Sequence, residues 1–143
     1  MSEGTFEITI LPNQNDLQAT GGTERPLQSG EAWPVTAEYR ASDSLSVERA
    51  DGEFTYDREA LLRAGSVWSR EYGTVLGASL FRGGIRSLYD RARNVPEGQS
   101  LHVLLSLEAS SLRALNWHFL CGPVSPADWD FLGLRRGNDQ EHV

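Results

Sequence analysis

The 143-residue chain is 39% hydrophobic and 23% charged, a balance that suits one globular domain with a single core and excludes wholesale disorder. Its net charge of −7 argues against a nucleic-acid surface, which needs clustered positive charge. No apolar run approaches a membrane span, the start Met1-Ser2-Glu3-Gly4 lacks a secretory pattern, and a single cysteine, Cys121, cannot make an internal disulfide; a cytoplasmic address is expected.

In chain order, Phe6, Ile8 and Ile10 alternate with polar residues between Thr5 and Leu11, the period of a half-buried strand. Residues 13–31 are polar, with Gly21-Gly22, Pro26 and Gly30, and read as a long mobile loop. Trp33, Val35, Ala37 and Tyr39 mark a second strand. Residues 44–56 read as a hairpin whose arms hold Leu45 and Val47, then Phe54 and Tyr56, around an Asp51-Gly52 turn. Asp57 is placed to cap a helix through Leu61, Ala64 and Trp68. A second helical stretch reaches Leu80, weakened by Gly73 and Gly77, with a break expected near 69–73. Ile85, Leu88, Tyr89 and Ala92 then stand at the i, i+3, i+4, i+7 spacing of an amphipathic helix.

After a turn at 94–99, residues 101–107 form the most strand-like segment, apolar on both faces and so expected to be a central strand covered on both sides. Ser110 can cap a short helix to Leu115, and Trp117 to Leu120 reads as extended. The fold class expected is α/β of the mixed α+β kind. It has a sheet with a hairpin in its amino-terminal half, two to three helices packed on it, a central strand near 101–107 and a polar tail at 135–143.

Chemistry-bearing residues are few. His118 and Cys121 are the only neighbouring base and nucleophile, and on an extended segment residues three apart face opposite ways, so no dyad is expected. Three histidines and one cysteine are too few for a structural zinc site. His102 reads as a core histidine. Gly73 to Gly77 lacks the Gly-Lys-Ser/Thr ending of a phosphate loop and reads as close helix packing. Arg82, Arg86, Arg91 and Arg93 are interleaved with Asp90, as on a solvated helix face, and Asp128 and Asp130 have no evident apolar pocket around them. No catalytic residue, cofactor or metal is expected.

The stretch Leu101 to Ala109, then Leu112-Arg113-Ala114-Leu115-Asn116-Trp117-His118-Phe119-Leu120, then Phe131-Leu132-Gly133-Leu134, resembles the opening signature of CHAT domains, a family similar to caspases. Upstream, residues 73–81 and 85–92 resemble that family's helical segment, and together the pieces cover about half the chain in the family's order. Asn116 stands where the family has proline and His118 where it has glutamate. The resemblance makes Leu115, Trp117, Phe119, Leu120, Phe131, Leu132 and Leu134 signature core positions. It also places the family's catalytic histidine and cysteine after the Phe-Leu-x-Leu element, so His118 and Cys121 do not inherit those roles. What it implies is a non-catalytic scaffold or regulatory segment of a caspase-like protease in bacterial defence or cell death. Its partner would be a protein, either the catalytic portion or a defence-system component, and if the free chain exposes an apolar sheet edge or face meant for the catalytic part, it is expected to self-associate. A stand-alone interaction module is the other reading.

Overall fold

The computed structural model describes residues 3–18, 27–41, 47–64, 70–93, 100–115, 117–123, 128–132 and 135–136. Trp68, the 94–99 turn, Leu45, Leu134 and residues 137–143 lie outside them. The chain is of mixed α+β class, and one apolar cluster runs through its described elements.

Strand β1 (Glu3–Ile10) lies at the middle of a five-stranded sheet. It pairs antiparallel with β2 (Ala32–Arg40), which pairs antiparallel with β3 (Val47–Thr55). On its other side β1 pairs in parallel with β4 (Ser100–Leu107), which pairs in parallel with β7 (Arg135–Arg136). The order is β3-β2-β1-β4-β7, and β5 (Cys121–Pro123) and β6 (Trp129–Phe131) form a separate two-stranded sheet. Period-two alternation puts Phe6, Ile8, Ile10, Trp33, Val35 and Ala37 on one face, each at most 1% exposed.

Helices α2 (Arg58–Ala64), α3 (Arg70–Leu80) and α4 (Gly83–Arg93) follow β3. The Asp57 carboxylate accepts the Ala60 amide at 3.0 Å, the cap expected from sequence. On α4, Ile85, Leu88, Tyr89 and Ala92 are all buried, and the Tyr89 ring meets Phe6 edge-on at 5.2 Å. The helices therefore cover the Phe6 face of the sheet.

Several expectations are corrected. A hairpin exists, but it is the β2/β3 pair; Asp51 and Gly52 sit inside β3, opposite Thr36 and Val35. Glycine is needed at position 52 for packing, because a Cβ there would lie 2.8 Å from Ile85 Cγ1. Within residues 13–31, Gln14–Gln18 form a short helix, α1. Asn13 accepts the Asp16 amide at 2.9 Å, while the Asp16 carboxylate accepts the Asn13 amide at 3.1 Å, a reciprocal cap that nucleates the turn.

β4 lies between two strands, as expected, but its faces are unequal: Val103 and Leu105 are buried on the helix side, whereas His102 and Leu104 are half-buried on the other. Residues Ser110–Ala114 and Trp117–Phe119 form 3-10 turns, so the latter is not extended. Ala109, not Ser110, holds the position before the first of these turns, without a side-chain cap. The supposed tail contributes β7 at Arg135–Arg136.

Candidate functional site

The region with the most chemical detail is the seam where the β5–β6 hairpin rests on α3. Gly73 and Gly77 are one helical turn apart on α3, and both are buried. A Cβ at Gly73 would overlap the Phe119 carbonyl oxygen, and one at Gly77 the Cys121 carbonyl oxygen. The glycine pair thus lets the backbone of the 3-10 turn and of β5 lie directly on a helix, the close packing its spacing suggested.

The hairpin is held from two more sides. Arg70 at the start of α3 meets Asp130 at 3.5 Å, and the Arg86 guanidinium of α4 lies over the Trp129 ring, 5.5 Å from its centroid. Arg86 also approaches Asp90 at 3.4 Å, without hydrogen-bond geometry at its Nε. Both charge pairs are substantially exposed, so each contributes modestly to stability.

Cys121 occupies the seam with its residue fully buried, and its Sγ lies 3.7 Å from the carbonyl oxygens of Arg70 and Phe119. Burial pushes the thiol pKa up, against smaller downward pulls from the Thr74 hydroxyl and the Arg70 charge. His118 is exposed in the 3-10 turn, its ring centroid 6.4 Å from that of Phe119. The thiol has protein carbonyls as its neighbours and a raised pKa, both opposite to what a nucleophile needs. His118 is thus exposed while the Cys121 sulfur is buried against backbone carbonyls, and Trp117–Phe119 is a 3-10 turn, not the extended stretch expected.

The residues marked by family resemblance distribute around this seam. Trp117 is 4% exposed, donates its indole N–H to the Leu112 carbonyl at 2.8 Å and packs on Phe54 at 5.1 Å. Leu120 is fully buried, Leu115 and Leu132 pack against the core while partly exposed, and Phe119 is half-buried. Phe131 pairs with Cys121 across the hairpin; its side chain, like all of Leu134, lies outside the described residues.

A second polar centre was not apparent from sequence. The Asp16 carboxylate accepts the Trp33 indole N–H at 2.8 Å and the Ser111 hydroxyl at 2.7 Å, joining α1, β2 and the turn after β4. Asn13 donates to Glu31 at 2.7 Å and to the Ala32 carbonyl at 2.9 Å beside it. The one signal in the sequence was the Asn13-x-x-Asp16 spacing of a capping box. Next to this centre a shallow groove of about 790 Å³ runs past Asn13, Leu17, Glu31, Trp33 and Glu53.

Among the described residues no group of three or more His, Cys, Asp or Glu side chains could hold a metal ion, and no helix is long and apolar enough to cross a membrane. Comparison with protein-family models, with characterised proteins and with solved structures finds no match to this chain.

Proposed function

We propose that this chain is the amino-terminal, non-catalytic part of a CHAT-type caspase-like protease and scaffolds the catalytic part in a bacterial defence or cell-death system. The observation that carries this reading is the asymmetry of the two sheet edges. The β3 edge bears exposed Glu48, Arg49, Asp51 and Glu53, the charge pattern that discourages strand addition. On the opposite side β4, next to the two-residue edge strand β7, has no carboxylate, lysine or arginine in eight residues, and among the described residues only Leu104 and Leu105 are paired outward, with β7.

The direction of the chain agrees. β1, β4 and β7 run in parallel and are laid down successively in one direction. The connection from β1 to β4 passes through α3 and α4 on the Phe6 face, and the connection from β4 to β7 passes through the hairpin seated on α3. Two crossovers on one face, moving the same way, are what a single handedness of parallel connection produces. A caspase-like core would extend such a sheet on the β7 side, and that is the side this reading gives to its catalytic strands. The ordered resemblance in residues 101–134 supports the family, and the buried Cys121 thiol beside an exposed His118 supports a scaffold role.

The test is co-expression of this chain with a caspase-like catalytic segment, supplied either by the same parent protein or as a separate chain. The expected result is a stable complex in which a cysteine-reactive peptide probe labels the partner and not Cys121. Separate elution of the two, or labelling of Cys121 that depends on His118, overturns the reading. A second reading, a stand-alone protein-binding module, draws on the groove beside α1, where Leu17 is 71% exposed; it is favoured if Leu17→Ala abolishes partner capture while changes in β4 do not.

A further inference from the structure

We propose that helix α1 is a latch, closed by the side chain of Asp16, and that its opening as one unit dismantles the groove beside it. Of the five residues of α1, Gln14, Asn15, Leu17 and Gln18 are exposed and only Asp16 is not. The helix thus buries no apolar side chain, and the group that reaches inward from it is a carboxylate. That carboxylate accepts the indole N–H of Trp33 and the hydroxyl of Ser111, both buried. The latch works alike under either function proposed for the chain.

A helix of five residues is far below the roughly 12–15 residues that hold a helix in water by themselves, so α1 keeps its turn only while it is docked. Bonds within the turn and bonds from it to the sheet then fail together. The Leu17 amide donates to the Asn13 carbonyl at 3.0 Å inside the turn, and the Trp33 indole donates to Asp16 at 2.8 Å from β2. Asn13 stays behind as the hinge, because its carboxamide donates to the Ala32 carbonyl at the start of β2. Opening costs less than global unfolding, since it breaks polar bonds at the surface while the Phe6 face of the sheet keeps its cover of α4. Gln14, Asn15 and Leu17 line the groove together with Trp33, Pro34 and Glu53, so it is formed with α1 docked and lost with α1 undocked. A ligand of the groove binds the docked state and holds the latch shut.

The experiment is native-state hydrogen exchange followed by NMR on the full chain, with the Trp33 indole N–H assigned through its neighbour Phe54. The indole and the Leu17 amide should show opening constants within about threefold of each other, and at least a hundredfold larger than that of the Ile8 amide in the middle of the sheet. Asp16→Ala should raise both constants at least tenfold more than it raises that of Ile8, and Asp16→Asn, which keeps an acceptor oxygen, should raise them less. Opening constants less than a hundredfold above that of Ile8 make α1 part of the global fold and overturn the proposal. Two other results overturn it: constants for Leu17 and the indole that differ by more than about threefold, which mean two separate openings, or indole protection that Asp16→Ala leaves intact, which puts the latch on another residue.

Discussion

The Ser111 hydroxyl donates to Asp16 at 2.7 Å across 95 residues of sequence, and this bond ties helix α1 to the turn that follows β4. The same carboxylate also accepts the Trp33 indole at 2.8 Å. Asp16→Ala removes an acceptor from two largely enclosed donors at once, for Trp33 is fully buried and Ser111 is 7% exposed. Each lost buried partner costs about 1–3 kcal/mol, so a denaturant melt of Asp16→Ala should show a loss of about 2–6 kcal/mol. Asp16→Asn, which keeps an acceptor oxygen, should lose clearly less.

At the seam, Gly73→Ala pushes a methyl group into the Phe119 carbonyl of the 3-10 turn and Gly77→Ala into the Cys121 carbonyl of β5. Overpacking against backbone that cannot move costs about 1–3 kcal/mol or more, outweighing the roughly 1 kcal/mol that alanine contributes as a better helix former. Gly84→Ala is the control, since its Cβ would meet Ala50 Cβ at an ordinary 3.6 Å. Thermal melts should show the first two variants destabilised and Gly84→Ala neutral or slightly stabilised.

Trp117 joins two layers: its ring lies on Phe54 of β3 and its N–H is bonded to Leu112. Trp117→Ala leaves a large cavity and should cost about 3–5 kcal/mol, a large share of the roughly 5–15 kcal/mol stabilising a domain of this size. Trp117→Phe keeps the packing and loses the hydrogen bond, so its melting temperature should fall between the parent and the alanine variant.

The Cys121 thiol is a pH-dependent element of clear sign, as is the buried Tyr89 phenol, whose pKa burial also raises. The thiol's folded pKa lies above the ordinary 9.0 because burial penalises the thiolate. A raised folded pKa means the unfolded chain releases the proton first as pH rises. The corresponding contribution to stability is complete below the ordinary thiol pKa and is lost as pH climbs through and past it toward the folded value. Unfolding measured from pH 7 to pH 10 should show Cys121→Ser lacking part of the alkaline loss seen in the parent. Iodoacetamide at pH 8 should alkylate the native parent at least tenfold more slowly than the denatured chain, and His118→Ala should leave that rate unchanged.

What the sequence determined by itself was local. The alternation of Phe6, Ile8 and Ile10 required a strand with one buried face, the spacing from Ile85 to Ala92 required a one-sided helix, and Asp57 supplied its own cap. The glycine spacing at 73 and 77 pointed to close packing, because a missing side chain has few other uses inside a helix. Tertiary structure decided the rest. Asp51-Gly52 has the chemistry of a tight turn, yet pairing with Thr36 and Val35 and the approach of Ile85 hold it inside β3. The apolar residues of β4 look alike in sequence, but Val103 and Leu105 are buried while Leu104 is half-buried. Asp16 and Ser111 gave no sign of each other, since their bond depends on how β2 and β4 flank β1. Periodicity records which face of a segment is buried; which partner buries it, and which edge of the sheet stays open, are set by long-range pairings that no local window contains.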